Sequence, residues 1–190
     1  MNDNSITQLL KSKKTVFSTE DLVLIWQISE PNYLKTKIYR LVKSNQLLRI
    51  KNGLYAIDKN YSQNELANKL IVPSYISLQT VLQMNGINFQ YNSATYSVSR
   101  LSKEVLINNK SFIYKKIKDL VLLNSNGIIR KENYSIASPE RAILDTLYIY
   151  GNYYFDNLSG IDWKECNKLV EIYNNKNLIK RLNKLRKLYA

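Results

Sequence analysis

The stretch Leu47-Leu48-Arg49-Ile50-Lys51-Asn52-Gly53-Leu54-Tyr55-Ala56-Ile57 decides how the chain is read. Two short apolar-rich runs flank Asn52-Gly53. Asn-Gly in that setting is the strongest local signal for a β-hairpin, because a type I′ turn needs positive φ at both central residues. Upstream, the spacing predicts three helices. Ile6, Leu9 and Leu10 mark one face of the first. Ser18 and Thr19 are N-cap candidates for a second over about residues 20–28, where Glu20 and Asp21 suit the positive end of a helix. Ser29-Glu30-Pro31 opens the third, a capping serine followed by proline in the first turn. Leu34, Ile38, Leu41 and Val42 form its core-facing stripe. At about 100° per residue the opposite face carries Asn32, Tyr33, Thr36, Arg40 and Lys43, with Lys35, Lys37 and Tyr39 on its flanks.

Three short helices followed by a hairpin predict a winged helix-turn-helix over residues 1–58. Its third helix would lie in the major groove of double-stranded DNA and its hairpin beside the backbone. The exposed chemistry fits. Arg40 forks onto guanine, Asn32 onto adenine, and Thr36 reaches a base edge or methyl. Lys35, Lys37, Lys43, Arg49 and Lys51 contact phosphates, which sets register and affinity without reading sequence.

The composition points the same way and excludes much else. The chain of 190 residues holds 28 Lys plus Arg against 15 Asp plus Glu, a net charge of +13 that suits a polyanionic partner. A/T-rich codon use also inflates lysine, since 23 Asn and 15 Tyr accompany 21 Lys, so distribution has to decide. Residues 61–100 carry two basic groups and one acid, whereas the two ends of the chain hold most of the charge. There is no histidine, which removes Ser-His-Asp and Cys-His systems and HExxH metal sites. Cys166 stands alone, so no internal disulfide or cysteine-rich zinc site forms. Five scattered glycines make neither a dinucleotide fingerprint nor a P-loop. No apolar run approaches the ~18 residues of a membrane span, and the first residues lack a signal-peptide pattern. The expectation is a cytoplasmic, non-enzymatic protein with no cofactor, no metal and no membrane partner.

Residues 62–190 read as a small α+β domain, so the fold class is α+β with an N-terminal winged helix-turn-helix. Ser62-Gln63-Asn64-Glu65 is a capping box opening a helix through about Leu70. Ser77 is placed to cap a helix carrying Leu78, Val81 and Leu82, stopped by Asn85-Gly86. Short runs at 96–98, 105–107, 112–114, 120–123 and 134–137 look like strands between polar turns. Ser138-Pro139-Glu140 starts a helix, Asp162 caps another, and Leu178, Leu182, Leu185 and Tyr189 stripe the last. That last helix sets Lys176, Lys180, Lys184 and Lys187 opposite its leucines: a solvated face, a membrane-surface helix or a second phosphate-contacting arm.

Three runs carry a family resemblance: Leu48 to Ala56, Pro73-Ser74-Tyr75-Ile76-Ser77-Leu78, and Ile136-Ala137-Ser138-Pro139-Glu140-Arg141-Ala142-Ile143-Leu144-Asp145. In that order and spacing the chain resembles the AbiEi-type antitoxins, the regulator half of abortive-infection toxin-antitoxin pairs. The resemblance implies an N-terminal domain that binds inverted repeats upstream of its own operon and represses it. It also implies a C-terminal domain that counters a cognate nucleotidyltransferase-like toxin, with Pro73, Ser74, Tyr75, Ser77, Ser138, Pro139, Glu140, Arg141 and Asp145 as its motif. Two other readings stay open: a winged-helix adaptor that binds protein without specific DNA binding, and an enzyme working through the carboxylates of Glu140 and Asp145.

Overall fold

The computed structural model describes residues 4–189, and the chain is mixed α+β. It divides into two compact units, the first running to Lys69 and the second starting at Leu70.

The first unit contains α1 (Asn4–Lys11), β1 (Val16–Ser18), α2 (Thr19–Trp26), α3 (Pro31–Lys43), β2 (Leu48–Lys51), β3 (Leu54–Ala56) and α4 (Gln63–Leu70). Ser18 ends β1 and caps α2 in a reciprocal box with Asp21, each side chain bonding the other's backbone N–H. The strands form an antiparallel sheet in the order β1-β3-β2. Three-residue β1 carries no alternation long enough to be read from sequence. Leu9, Leu22, Trp26, Leu34, Ile38, Leu41 and Tyr55 bury together as the core. Each such side chain contributes about 1.5–3 kcal/mol when fully buried.

Two local expectations need correction. The residue capping α3 is Glu30 rather than Ser29: its carboxylate accepts the N–H groups of Asn32 and Tyr33. The turn at Asn52-Gly53 is not type I′, since only Gly53 has positive φ and the ladder slips by one residue between Arg49 and Lys51. The two-residue turn with positive φ at both central positions lies instead at Asn108-Asn109, between Ile107 and its partner Lys110.

The boundary expected near residues 58–62 also falls differently, because α4 packs with the first unit. Thr15 donates both its backbone N–H and its hydroxyl to Glu65 Oε2, at 2.9 and 2.7 Å. Ser62 donates its N–H to Thr15 Oγ1, so the Glu65 arm of the expected capping box is turned to Thr15 instead. Lys14 and Lys69 both ion-pair with Asp21 at 2.5 Å.

The second unit runs β4 (Ser74–Ile76), α5 (Leu78–Met84), β5 (Thr95–Ser99), β6 (Lys103–Ile107), β7 (Lys110–Lys116), α6 (Asp119–Leu122), β8 (Ile128–Arg130), β9 (Ser135–Ala137), α7 (Pro139–Tyr150), α8 (Trp163–Leu169), a 3-10 turn (Val170–Tyr173) and α9 (Lys176–Tyr189). Its six strands stand in the order β6-β7-β5-β4-β9-β8, with β5–β7 and β4–β9 parallel and the remaining pairs antiparallel. The run Leu120-Val121-Leu122-Leu123, expected as a strand, forms the short helix α6 and its cap. Apolar runs of four do not separate the two states. On α7, Arg141 through Leu147 are all buried, so this helix is enclosed on every side by α5, α8, α9 and the sheet.

Candidate functional site

Two groups of sequence-selected residues have to be placed, one in each unit. In the first, α3 turns Leu34, Ile38 and Leu41 inward. That leaves Asn32, Tyr33, Lys35, Thr36, Tyr39, Arg40 and Lys43 exposed along the helix. Thr36 donates its hydroxyl to Asn32 O at 2.9 Å, which fixes its rotamer on the exposed face. Lys37 is half-buried, its ammonium 4.7 Å from the centre of the Trp26 ring, and so is held at the edge of the face rather than free above it. Lys43 Nζ lies over Tyr39 at 5.9 Å and the Arg49 guanidinium over Tyr55 at 5.8 Å. Lys51 is exposed at the end of β2, beside the turn. From Pro31 to Ile57 the chain has six basic residues and no acid. The two acids that bound it are Glu30, engaged in capping, and Asp58 in the following loop.

In the second unit the two family-like runs interlock inside the protein. Tyr75 ends up beneath α7, and Ser77, placed to cap α5, makes no capping bond. Ser77 instead donates its hydroxyl to Asp145 Oδ2 at 2.7 Å. Tyr75 OH stands 3.1 Å from the same oxygen, and Tyr173 OH donates to Asp145 Oδ1 at 2.7 Å. Arg141 spreads over the cluster. Its Nη1 donates to Asn126 O at 2.8 Å and its Nη2 to Val121 O at 2.7 Å, tying the end of α6 and the following loop to α7. Its guanidinium also lies over the rings of Tyr75 and Tyr173, 5.7 and 5.2 Å from their centres. Gly127 makes room for this arrangement: a Cβ there would stand 3.0 Å from both Arg141 Cβ and Leu169 Cδ1.

Burial pushes the Asp145 carboxyl above the usual carboxylate range, against the pull of Arg141 and the three hydroxyls. Burial and the Asp145 charge likewise raise the Tyr75 and Tyr173 phenols well above their ordinary value. These groups therefore act as fixed donors to a carboxylate rather than as proton carriers near neutral pH.

The other motif residues serve the frame. Ser138 accepts the Arg141 N–H as the cap of α7, with Pro139 in its first turn. Pro73 follows a cis peptide bond and leads into β4, and Ser74 on β4 pairs across to Ser99. Glu140 Oε1 accepts the Asp162 N–H at 3.4 Å, while Asp145 is enclosed, so the two carboxylates face different surroundings. Tyr173 is the member that sequence reasoning missed: one tyrosine among 15 carries no signal. Burial also pushes the lone Cys166 thiol up to about 12. Among the described residues no three of His, Cys, Asp and Glu converge to hold a metal ion, and no helix is long and apolar enough to cross a membrane.

No family model and no curated protein matches the chain. Among solved structures the chain is similar to the RV2827C protein from Mycobacterium tuberculosis, with a TM-score of 0.55 and 9% sequence identity over 95% of this chain and 74% of that one. At that identity the likeness is one of fold.

Proposed function

We propose that this chain is a DNA-binding autorepressor and the antitoxin of a toxin-antitoxin pair whose toxin is nucleotidyltransferase-like. In this reading α2 and α3 are the helix-turn-helix, α3 enters the major groove, and the β2–β3 hairpin is the wing. One observation carries the DNA half: six basic residues and no acid from Pro31 to Ile57, four on a helix whose apolar stripe is spent on the core and two on the adjoining strand β2. Arg40, Asn32 and Thr36 offer the donors, acceptors and methyl that base edges require, and Arg49 and Lys51 reach the backbone beside them. The antitoxin half rests on the AbiEi-like runs at 73–78 and 136–145. Their Tyr75, Ser77, Arg141 and Asp145 are interior, so they order the second unit, and its surface meets the toxin.

The test is a pair of measurements on the full chain. The protein should bind the DNA upstream of its own reading frame in a gel shift, over unrelated DNA. It should also restore growth when co-expressed with a nucleotidyltransferase-like protein encoded beside it. Growth rescue without operator binding would favour the protein-binding adaptor.

A further inference from the structure

The second unit displays a basic region that the function proposed above leaves unused. It lies where α7 ends against α9. There Asn152, Tyr153, Arg181, Lys184 and Leu188 line a cleft of about 180 Å³. Gly151 ends α7 at φ +82°, and a Cβ on it would stand 3.4 Å from an Arg181 guanidinium nitrogen, so the missing side chain lets Arg181 lie against the turn. Arg181 Nη1 donates to Leu147 O at 2.9 Å, which fixes the guanidinium at the carbonyl end of α7.

Lys184 follows almost one turn later on the same face, exposed and without an ion pair among the described residues. Helix α9 contains no acid, and at about 100° per residue Lys180 and Lys187 extend a cationic strip beside the cleft. Asp156 is the one acid of the 151–161 loop, and it accepts the Phe89 N–H at 2.8 Å.

Tyr153 is the aromatic residue of the cleft wall. Asn88 Nδ2 donates to the Tyr153 phenol oxygen at 2.7 Å, and the Tyr153 ring lies 6.1 Å from Tyr150 and 5.0 Å from Phe155. Lys115 Nζ in turn sits over Tyr150 at 5.7 Å. Tyr153 is therefore held in place before any ligand arrives.

We propose that this cleft binds single-stranded nucleic acid, a backbone phosphate lying between Arg181 and Lys184 and an adjacent base stacking on Tyr153. A fixed guanidinium beside an unpaired ammonium is built for a phosphate diester. Stacking on a rigid aromatic needs a base whose face is open, which a single strand offers and a duplex does not. A lipid surface fits less well, because Leu178, Leu182 and Leu185 of α9 are buried in the fold, which leaves Leu188 as the one exposed leucine of the helix. The site is on the other unit from α3, so its fate is separate from that of the operator reading.

Fluorescence anisotropy on the full chain tests this. The probes are fluorescein-labelled 12-nucleotide single strands of one mixed sequence, as RNA and as DNA, and an unrelated duplex of equal length. Single strands should bind more tightly than the duplex, with either sugar; a difference between RNA and DNA names the natural source. Lys184→Glu changes an exposed side chain and should weaken single-strand binding at least fivefold with an unaltered melting temperature. Tyr153→Leu should weaken it by a similar factor. An unchanged single-strand affinity in Lys184→Glu overturns the proposal. Should Tyr153→Leu fail to fold, Lys184→Glu decides alone.

Discussion

Arg141 and Asp145 face each other across one turn of α7, Nε to Oδ1 at 3.6 Å, with neither side chain exposing any surface. Removing one partner of such a buried pair strands the other's charge, at a cost of about 3–5 kcal/mol. Asp145→Ala and Arg141→Met should each lower the unfolding free energy measured by urea titration by an amount in that range. The double variant Arg141→Met with Asp145→Leu should recover part of it, since no uncompensated charge is left. A single variant that loses less than about 1 kcal/mol would remove the cluster from the centre of the unit's stability.

Fragment length gives a second test, because α4 belongs with the first unit. A fragment ending at residue 60 lacks Glu65 and Lys69, the partners of Thr15 and Asp21. Hydrogen bonds to a charged group contribute about 1.5–3 kcal/mol each, and a domain of this size shifts by roughly 4–8 °C per kcal/mol. Residues 1–72 should therefore melt at least about 10 °C above residues 1–60. Equal melting temperatures by circular dichroism would show that α4 is dispensable to the unit.

Acid should loosen the same contact. Burial opposes the charge of Asp21, yet Lys14, Lys69 and the Ser18 N–H hold its carboxyl at about 2, below the ordinary 3.8. A carboxylate whose value is lowered on folding adds stability in full above the unfolded value and loses it as pH falls toward the folded one. The contribution, about 2 kcal/mol, is thus present at neutral pH and drains away between roughly pH 4 and pH 2. Asp21→Asn should cost a similar amount at pH 7 and flatten that acid limb. An unchanged limb in the variant would assign the acid sensitivity to other groups.

On operator DNA, Arg40→Ala should lose about 1–3 kcal/mol and relax preference at one position. Lys51→Ala should weaken all sequences alike, because a phosphate contact carries no base information. Competition gel shifts with single-base operator variants separate the two patterns. Full retention of affinity and preference in Arg40→Ala would dismiss α3 as the reading helix.

Salt provides an independent measure of the same surface. About five phosphate contacts per copy give a slope near −4 or −5 for log K against log salt, and two copies on an inverted repeat roughly double it. A flat response would place the binding energy outside the basic face of α3 and the hairpin.

The parts of the fold legible in the sequence are those specified by near neighbours. The Ser138-Pro139 start of α7, the Asp162 cap of α8 and the leucine stripe of α9 each depend on residues within two turns. The three-residue strands β1, β4 and β8 escaped because their membership in a sheet is decided by partners far along the chain. The burial of Arg141 escaped for a different reason. An arginine beside a glutamate on a helix reads as surface charge, and only the fold reveals Tyr75, Tyr173 and two backbone carbonyls waiting for it. Glu30 was misjudged on chemistry: a serine one position earlier was the better cap by preference, yet the glutamate reached two N–H groups at once. The exposed residues of α3 fared better, since a 13-residue helix with a clean apolar stripe fixes its own outer face.

The pairing of Ile76 with Ile136 has a consequence for the order in which the protein is made. As the chain leaves the ribosome, the first unit has all its elements once Leu70 has emerged. Strand β4 then waits for β9, and Asp145 waits longer still, until Tyr173 supplies its last hydroxyl. Pairing between distant segments is slow to form and leaves strand edges open in the meantime. Synthesis halted between β4 and β9 therefore releases a finished first unit trailing an unsealed sheet, whose bare β4 edge is an invitation to chaperone or protease.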